Sequence, residues 1–432
     1  MAIGEFGGAP TLPVQGGSAM MTPLYWMYEM GQASLNPARA VTDATKILFE
    51  NPVNPWSHTT FGKSVAAGCE LFERITRRYG KPEWGLDFTE VEGRRVPVAI
   101  RSVWEKPFCR LLHFERGIAT PPSKPQPRVL IVAPMSGHYA TLLRGTVERM
   151  LPRHDVYITD WRDAKLVPLD LGRFDLDDYI DYLIAFLDHI GPGAHMLAVC
   201  QPSVPAYAAA AVMSRDKHPA RPRTLAMMGG PIDTREAPTA VNTVATQRPH
   251  AWFQNNVIAT VPYSYPGAGR QVYPGFLQLA GFMAMNLGDH LTSHWEMFKH
   301  LVQGDGESAD STKRFYEEYR SVCDMTAEFY LQTIDVVFQR HLLPKGEFEH
   351  RGVRIDPAAM KDVALLAIEG ERDDISGIGQ TRAALDISTG LPASRKKYHL
   401  ARGVGHYGIF NGSKWRERIA PVVEEWIRAH GG

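Results

Sequence analysis

Residues 195–212 read HMLAVCQPSVPAYAAAAV. The leading run is short and almost continuously apolar, the composition of a strand buried on both faces. The trailing run is rich in alanine, the strongest helix former. Between them stand Cys200, Gln201 and Pro202. Proline is tolerated in a first helical turn, where its missing N–H would have had no partner, and Pro205 extends the same logic. A strand that passes straight into a helix needs a very tight turn, and the side chain at its apex projects beyond the sheet edge. Ala198, two residues earlier, supplies the small side chain that lets strand and helix approach. The junction therefore predicts a presented thiol nucleophile. The competing reading is an inert buried cysteine, since buried sites are common for this residue. What the rest of the chain places around Cys200 decides between them.

Working outward, short apolar runs recur at RVLIVAP (128–134), VYITDW (156–161), HMLAVC (195–200), TLAMMGG (224–230), VALLAIEG (363–370) and KKYHLA (396–401). Helical segments separate most of them, including LDDYIDYLIAFLDHIG and YAAAAVMSR, and WRERIAPVVEEWIRAH follows the last. That alternation predicts a doubly wound α/β sheet. Upstream, VPVAIRSVW (96–104) and FCRLLHF (108–114) are separated by three residues and read as an antiparallel hairpin. From Thr22 to Tyr79 apolar residues recur at three-and-four spacing, closed by Gly80 and Pro82, which predicts helices. Between 233 and 345 the buried-strand rhythm stops, and an aromatic, methionine-rich, helical-looking stretch takes its place. The expected organisation is a leader at 1–20, helices and the first part of the core at 21–232, a helical cap at 233–345, and the rest of the core at 346–432.

The chain has 432 residues, 44% hydrophobic and 22% charged, ample for a large globular core. Lysine plus arginine equals aspartate plus glutamate at 47 each, so no basic field argues for nucleic acid or an anionic membrane. The four cysteines, Cys69, Cys109, Cys200 and Cys323, are too scattered for a disulfide framework, and no C-x-x-C pair suggests zinc. A reducing compartment follows, with no transmembrane segment expected and no cofactor or metal. A homodimer is compatible with this composition. The first residues, MAIGEFGGAPTLPVQGGSA, lack a basic n-region and an apolar h-region and read as a flexible leader or a cloning scar rather than a signal peptide.

A tight strand–turn–helix nucleophile is the device of the α/β-hydrolase fold, usually written G-x-S-x-G; here Cys replaces Ser, and Ala198 and Pro202 replace the glycines. In that fold the acid follows the penultimate core strand and the histidine the last. After VALLAIEG comes ERDDISG, with Asp373 and Asp374; after KKYHLA comes RGVGHYGIF, with His406 on a glycine-rich loop. Either aspartate alone would pass for a helix cap and His406 for an ordinary loop histidine. All three in the right order and topology predict a triad of Cys200, Asp373 and His406. Asp373 is preferred because it lies three residues past Gly370, leaving Asp374 to solvent or the next helix. Its carboxylate would accept from His406 Nδ1–H, freeing Nε2 for the thiol proton. The oxyanion hole is expected from the N–H of Gln201 and of Met135 or Ser136 in P-M-S-G-H. His138, in the same loop, lies in the wrong connection to be the base. Ser203 falls past the apex, inside the helix. Gly403–Gly408 spells G-x-G-x-x-G too near the chain's last residues for a dinucleotide site, and His290 with His294 lacks the glutamate of a zinc helix.

Several longer stretches resemble the intracellular polyhydroxybutyrate (PHB) depolymerases. They are ITDWRDAKLVPLDLGRFDLDDYIDYL, LAVCQPSVPAYAAA, MMGGPIDTR, EGERDDISGIGQT and GVGHYGIFNGSKWR, and the resemblance runs from about Met21 onward. It implies the same three roles for Cys200, Asp373 and His406, cleavage of poly(3-hydroxybutyrate) esters, and a place on cytoplasmic storage granules. The polyhydroxyalkanoate synthases are similar but carry G-x-C-x-G, so the Ala198 and Pro202 flanks favour depolymerisation. In the cap, Trp252, Phe253, Tyr263, Tyr265 and Trp295 are expected to grip the apolar polyester, with Phe276, Phe282 and Phe298 nearby. Their alternative role is the cap's own core.

Overall fold

The computed structural model describes residues 21–118, 126–285, 299, 313 and 316–431. Its centre is a nine-stranded sheet in the order β1-β2-β3-β5-β4-β6-β7-β13-β14. These are β1 (Phe88–Val91), β2 (Arg94–Lys106), β3 (Cys109–Arg116), β4 (Arg128–Val132), β5 (Asp155–Trp161), β6 (His195–Val199), β7 (Thr224–Met228), β13 (Ala364–Gly370) and β14 (Lys396–Ala401). The first four runs pair antiparallel, β1 with β2, β2 with β3 and β3 with β5. From β5 through β14 every pairing is parallel. Every residue of β6, β7 and β13 is buried. Since successive side chains point to opposite faces, both faces of these strands are covered, and that is why their sequences are continuous rather than alternating.

The covering helices follow the expected pattern. Helix α5 (Leu176–Ile190) opens on an Asp175–Asp178 capping box and packs on α6 (Ser203–Arg215). The C-terminal helix Ala420–Ala429 buries Val423, Trp426 and Ile427 and lies against β7. Strand β4 pairs with β5 on one side and β6 on the other. That reversal leaves a crevice at the carboxyl ends of β4 and β6, where open α/β sheets bind ligands. Mostly parallel, with one antiparallel edge and helices on both faces, the sheet has the α/β-hydrolase order.

Ahead of the sheet stand α1 (Met21–Ser34), α2 (Asn36–Glu50) and α3 (Thr60–Thr76). Buried Glu70 of α3 meets Lys46 at 3.2 Å, Arg74 at 3.0 Å and Lys313 at 3.0 Å. Burial opposes its charge, but these cations hold the carboxyl down at about 2.

The stretch between β7 and β13 is not purely helical, as its composition suggests. Among the described residues it contains α7 (Ala240–Gln247), α8 (His250–Asn256), α9 (Gly275–Met285) and the helix Ala327–Thr333, but also five short strands. These are β8 (Ala259–Thr260), β9 (Gln271–Tyr273) and β10 (Met325–Thr326), joined as a small antiparallel sheet; β11 (Glu349–His350) and β12 (Val353–Arg354) form a further hairpin. Two- and three-residue strands are too short to leave a period-two signal. Among the described residues no helix is long and apolar enough to cross a membrane.

Candidate active site

The turn after β6 places Cys200 at φ +67°, in the left-handed region that costs a non-glycine residue about 1–2 kcal/mol. Its own N–H donates to Met228 O of β7 at 2.7 Å, and its carbonyl accepts from Ser203 N at 3.0 Å, so both sides of the turn are pinned. The turn closes only because Gly230 has no side chain: a Cβ there would sit 2.2 Å from Ser203 Cβ and 3.1 Å from Cys200 O. Ser203 is buried inside α6, behind the apex.

His406 follows β14 and opens a short 3-10 turn, His406–Ile409. Its Nδ1 lies 2.8 Å from Asp373 Oδ2, and the Asp373 side chain is wholly buried. The other carboxylate oxygen, Oδ1, accepts from Ile375 N at 2.9 Å and Ser376 N at 2.8 Å, which fixes its orientation. Asp374 points to solvent. The preceding loops are tied together, with Arg372 N donating to Val404 O at 2.9 Å. Burial disfavours charge on His406, but the negative charge of a Cys200 thiolate and of the Asp373 carboxylate outweigh that and hold its pKa well above the ordinary histidine value. Gly229, at φ +62°, passes under the pair; a Cβ would lie 3.2 Å from both Asp373 Oδ2 and His406 Cε1. Sequence alone gives Gly229 and Gly230 no role at the site; the tandem pair at the end of TLAMMGG is the signal that could have pointed to them.

The loop after β4 faces the elbow. Ala133 is fixed at both ends, its N–H donating to Thr159 Oγ1 and its carbonyl accepting from Trp161 Nε1, each at 2.9 Å. Met135, Ser136 and Gln201 line the same cavity as Cys200 and His406. Among the described residues no hydrogen bond takes up the N–H of Met135 or Gln201. His138 is buried at the cavity wall with Nε2 3.0 Å from Tyr319 O, and burial drives its pKa down to about 4. It stays neutral and engaged. Among the described residues no group of three His, Cys, Asp or Glu side chains is placed to hold a metal.

The cavity, about 440 Å³, is walled by these residues on one side and by the stretch between β7 and β13 on the other. Its aromatic surface differs from the expected one. Phe253 lines it, but Trp252 packs under Arg248 and against Phe253. Tyr263 is 88% exposed, and Tyr265 bonds Arg78 and Glu29 near α1. Trp295, His290, His294 and Phe298 lie outside the described residues. The aromatics that do line the cavity are Tyr273, Phe329, Tyr330, Phe338, Tyr407 and Phe410. They come from separate segments, and no spacing in the sequence marks them as neighbours.

Comparison with known proteins adds similarities to part of the chain. Residues 229–431 match the family model "PHB de-polymerase C-terminus", which is just under half of the chain. The chain is also 22% identical over 339 residues to the poly(3-hydroxyalkanoate) polymerase subunit PhaC of Haloarcula marismortui, covering 75% of this chain and 66% of that one. It thus spans slightly less than two thirds of that curated relative's length. Solved structures it is similar to include a Paleococcus ferrophilus monoacylglycerol lipase (13% identity, TM-score 0.40, 71% of this chain and 96% of the other). Another is the 2-hydroxy-6-oxo-6-phenylhexa-2,4-dienoate hydrolase of Rhodococcus sp. strain RHA1 (12%, TM-score 0.42, 77% and 99%). At those scores the fold assignment rests on the strand order above. The strand order is that of an α/β-hydrolase, and its C-terminal part, residues 229–431, is similar to the C-terminal region of PHB depolymerases.

Proposed function

We propose that the chain is a poly(3-hydroxybutyrate) depolymerase working through Cys200, Asp373 and His406, acting on storage granules in the cytoplasm. The observation that carries this reading is the thiol at a left-handed elbow, set against an imidazole that is itself oriented by a buried carboxylate. His406 takes the Cys200 proton and the thiolate adds to an ester carbonyl. Main-chain N–H groups of Gln201 and Met135 or Ser136 receive the oxyanion. A thiolate leaves more readily than an alkoxide, so the adduct would revert unless His406 protonates the departing hydroxyl. The C–O bond then breaks and a thioester remains on Cys200. Water deprotonated by His406 attacks that thioester, releasing 3-hydroxybutyrate or a short oligomer and restoring the thiol. The stretch at 233–345 serves as the cap that encloses the ester.

The name of the Haloarcula relative, a polymerase subunit, favours a second reading: acyl transfer to or from coenzyme A through the same thioester. Both readings are separated by incubating the protein and Cys200→Ala with amorphous poly(3-hydroxybutyrate) granules, with and without coenzyme A, and weighing the soluble products. Free acid or oligomer from the unaltered protein alone is the expected result. Product seen only as a coenzyme A ester, or polymer growth on 3-hydroxybutyryl-CoA, would replace hydrolysis with transfer.

A further inference from the structure

Several threonines in the helices of this chain satisfy their hydroxyls on the carbonyl one turn back. Thr45 bonds Val41 O at 2.8 Å, Thr76 bonds Phe72 O at 2.8 Å, Thr243 bonds Thr239 O at 2.9 Å and Thr246 bonds Asn242 O at 3.1 Å. Thr333, at the end of the helix Ala327–Thr333, does not. Its residue is 7% exposed, it lines the cavity beside Cys200, and among the described residues its buried hydroxyl has no partner. The helix widens there into a π-helical turn, Ile334–Gln339, a distortion that recurs at functional sites. Buried unsatisfied hydroxyls are rare in folded chains, and each asks for an explanation.

The surroundings supply one. Tyr273 and Tyr330 line the same wall, stacked with centroids 4.1 Å apart, and neither phenol has a partner among the described residues. Gln278, 9% exposed, also lines the cavity, and its side-chain oxygen is unpartnered where the carboxamide packs on Gly137 of the loop after β4. The rest of that wall is apolar, with Val244, Ala245 and Phe338. The Thr333, Tyr273 and Tyr330 hydroxyls are hydrogen-bond donors set in hydrocarbon, while the Gln278 oxygen, nearer the loop after β4, can only accept. A polyester chain is the complement: every repeat carries a carbonyl acceptor, and apart from its hydroxyl end it has no donor.

Resting on the depolymerase reading, we infer that Thr333, with Tyr273 and Tyr330, forms a second-unit subsite that binds the ester carbonyl of the repeat next to the one Cys200 attacks. The enzyme then selects substrates with two consecutive ester groups over a lone ester.

The test compares kcat/KM for methyl 3-hydroxybutyrate (one ester) and for the methyl ester of its linear dimer (two esters). The variants are Thr333→Val, Thr333→Ser and, independently, Tyr330→Phe. The two-ester to one-ester ratio is expected to fall about three- to tenfold in Thr333→Val and in Tyr330→Phe, and to stay near the unaltered protein's in Thr333→Ser. Thr333→Val is isosteric and removes an unsatisfied group, so its Tm is expected at or above that of the unaltered protein. An unchanged ratio in Thr333→Val, or equal loss in Thr333→Ser, overturns the subsite while leaving depolymerisation standing. Failure of the unaltered protein to cleave the two-ester substrate overturns both.

Discussion

Cys200 keeps a backbone conformation that neither strand nor helix would choose, and the bond from its N–H to Met228 together with the bare glycine at 230 keeps it there. Its effect is felt at His406. The imidazole is buried, which alone would favour the neutral ring, but Cys200 first and Asp373 second pull its pKa above the ordinary value near 6.5. A raised folded-state pKa means that the charged ring stabilises the fold fully below about pH 6.5 and that this stabilisation fades as pH rises through the folded-state midpoint. Following the His406 ring proton by NMR is expected to give a midpoint above 6.5 that drops in Cys200→Ala and again in Asp373→Asn. The stability lost in Asp373→Asn should be largest at low pH and shrink once the ring is neutral. A midpoint below 6.5, insensitive to both substitutions, would remove the electrostatic part of the mechanism.

At the scale of elements, the acid loop is organised by a residue that takes no part in the chemistry. Glu369 on β13 is wholly buried, and its carboxylate accepts from Gly379 N at 2.9 Å, Thr381 N and Arg382 N at 2.8 Å, and the Tyr398 hydroxyl at 2.8 Å. Thr381 in turn bonds Gly230 at both ends, accepting its N–H at 2.8 Å and donating to its carbonyl at 3.0 Å, so the acid loop is joined to the floor of the elbow. Glu369→Ala strands two buried N–H groups, a part-buried third and a phenol, and is expected to cost about 2–4 kcal/mol in urea unfolding. A loss below about 1 kcal/mol would mean the loop holds itself. The strands, and the places of Cys200, Asp373 and His406 just past them, are legible in the sequence because continuous apolar runs and the residues that follow them are local signals. Glu369 looked like one more acidic residue at a strand end, since its partners lie ten to thirty residues away. The cavity aromatics escaped for the same reason: Tyr273 and Tyr330 meet only after β9 and the helix Ala327–Thr333 have folded together. Tyr265 looked equivalent in sequence yet belongs to the contact with α1.

For the whole molecule, the sheet's reversal at β4 and β6 brings three distant chain segments to one crevice, and the stretch between β7 and β13 closes it with a mostly apolar wall. A soluble esterase and a granule-bound depolymerase would share that much. On the proposed mechanism the distinguishing atom is the sulfur, since each turnover would pass through a thioester on Cys200. The most direct test is a rapid acid quench of the protein reacting with a 3-hydroxybutyrate oligoester, followed by peptide mass analysis. The expected result is a 3-hydroxybutyryl adduct on the peptide bearing Cys200, removed by hydroxylamine and absent in Cys200→Ala. Turnover with no adduct on Cys200, or an adduct on any other side chain, would contradict it.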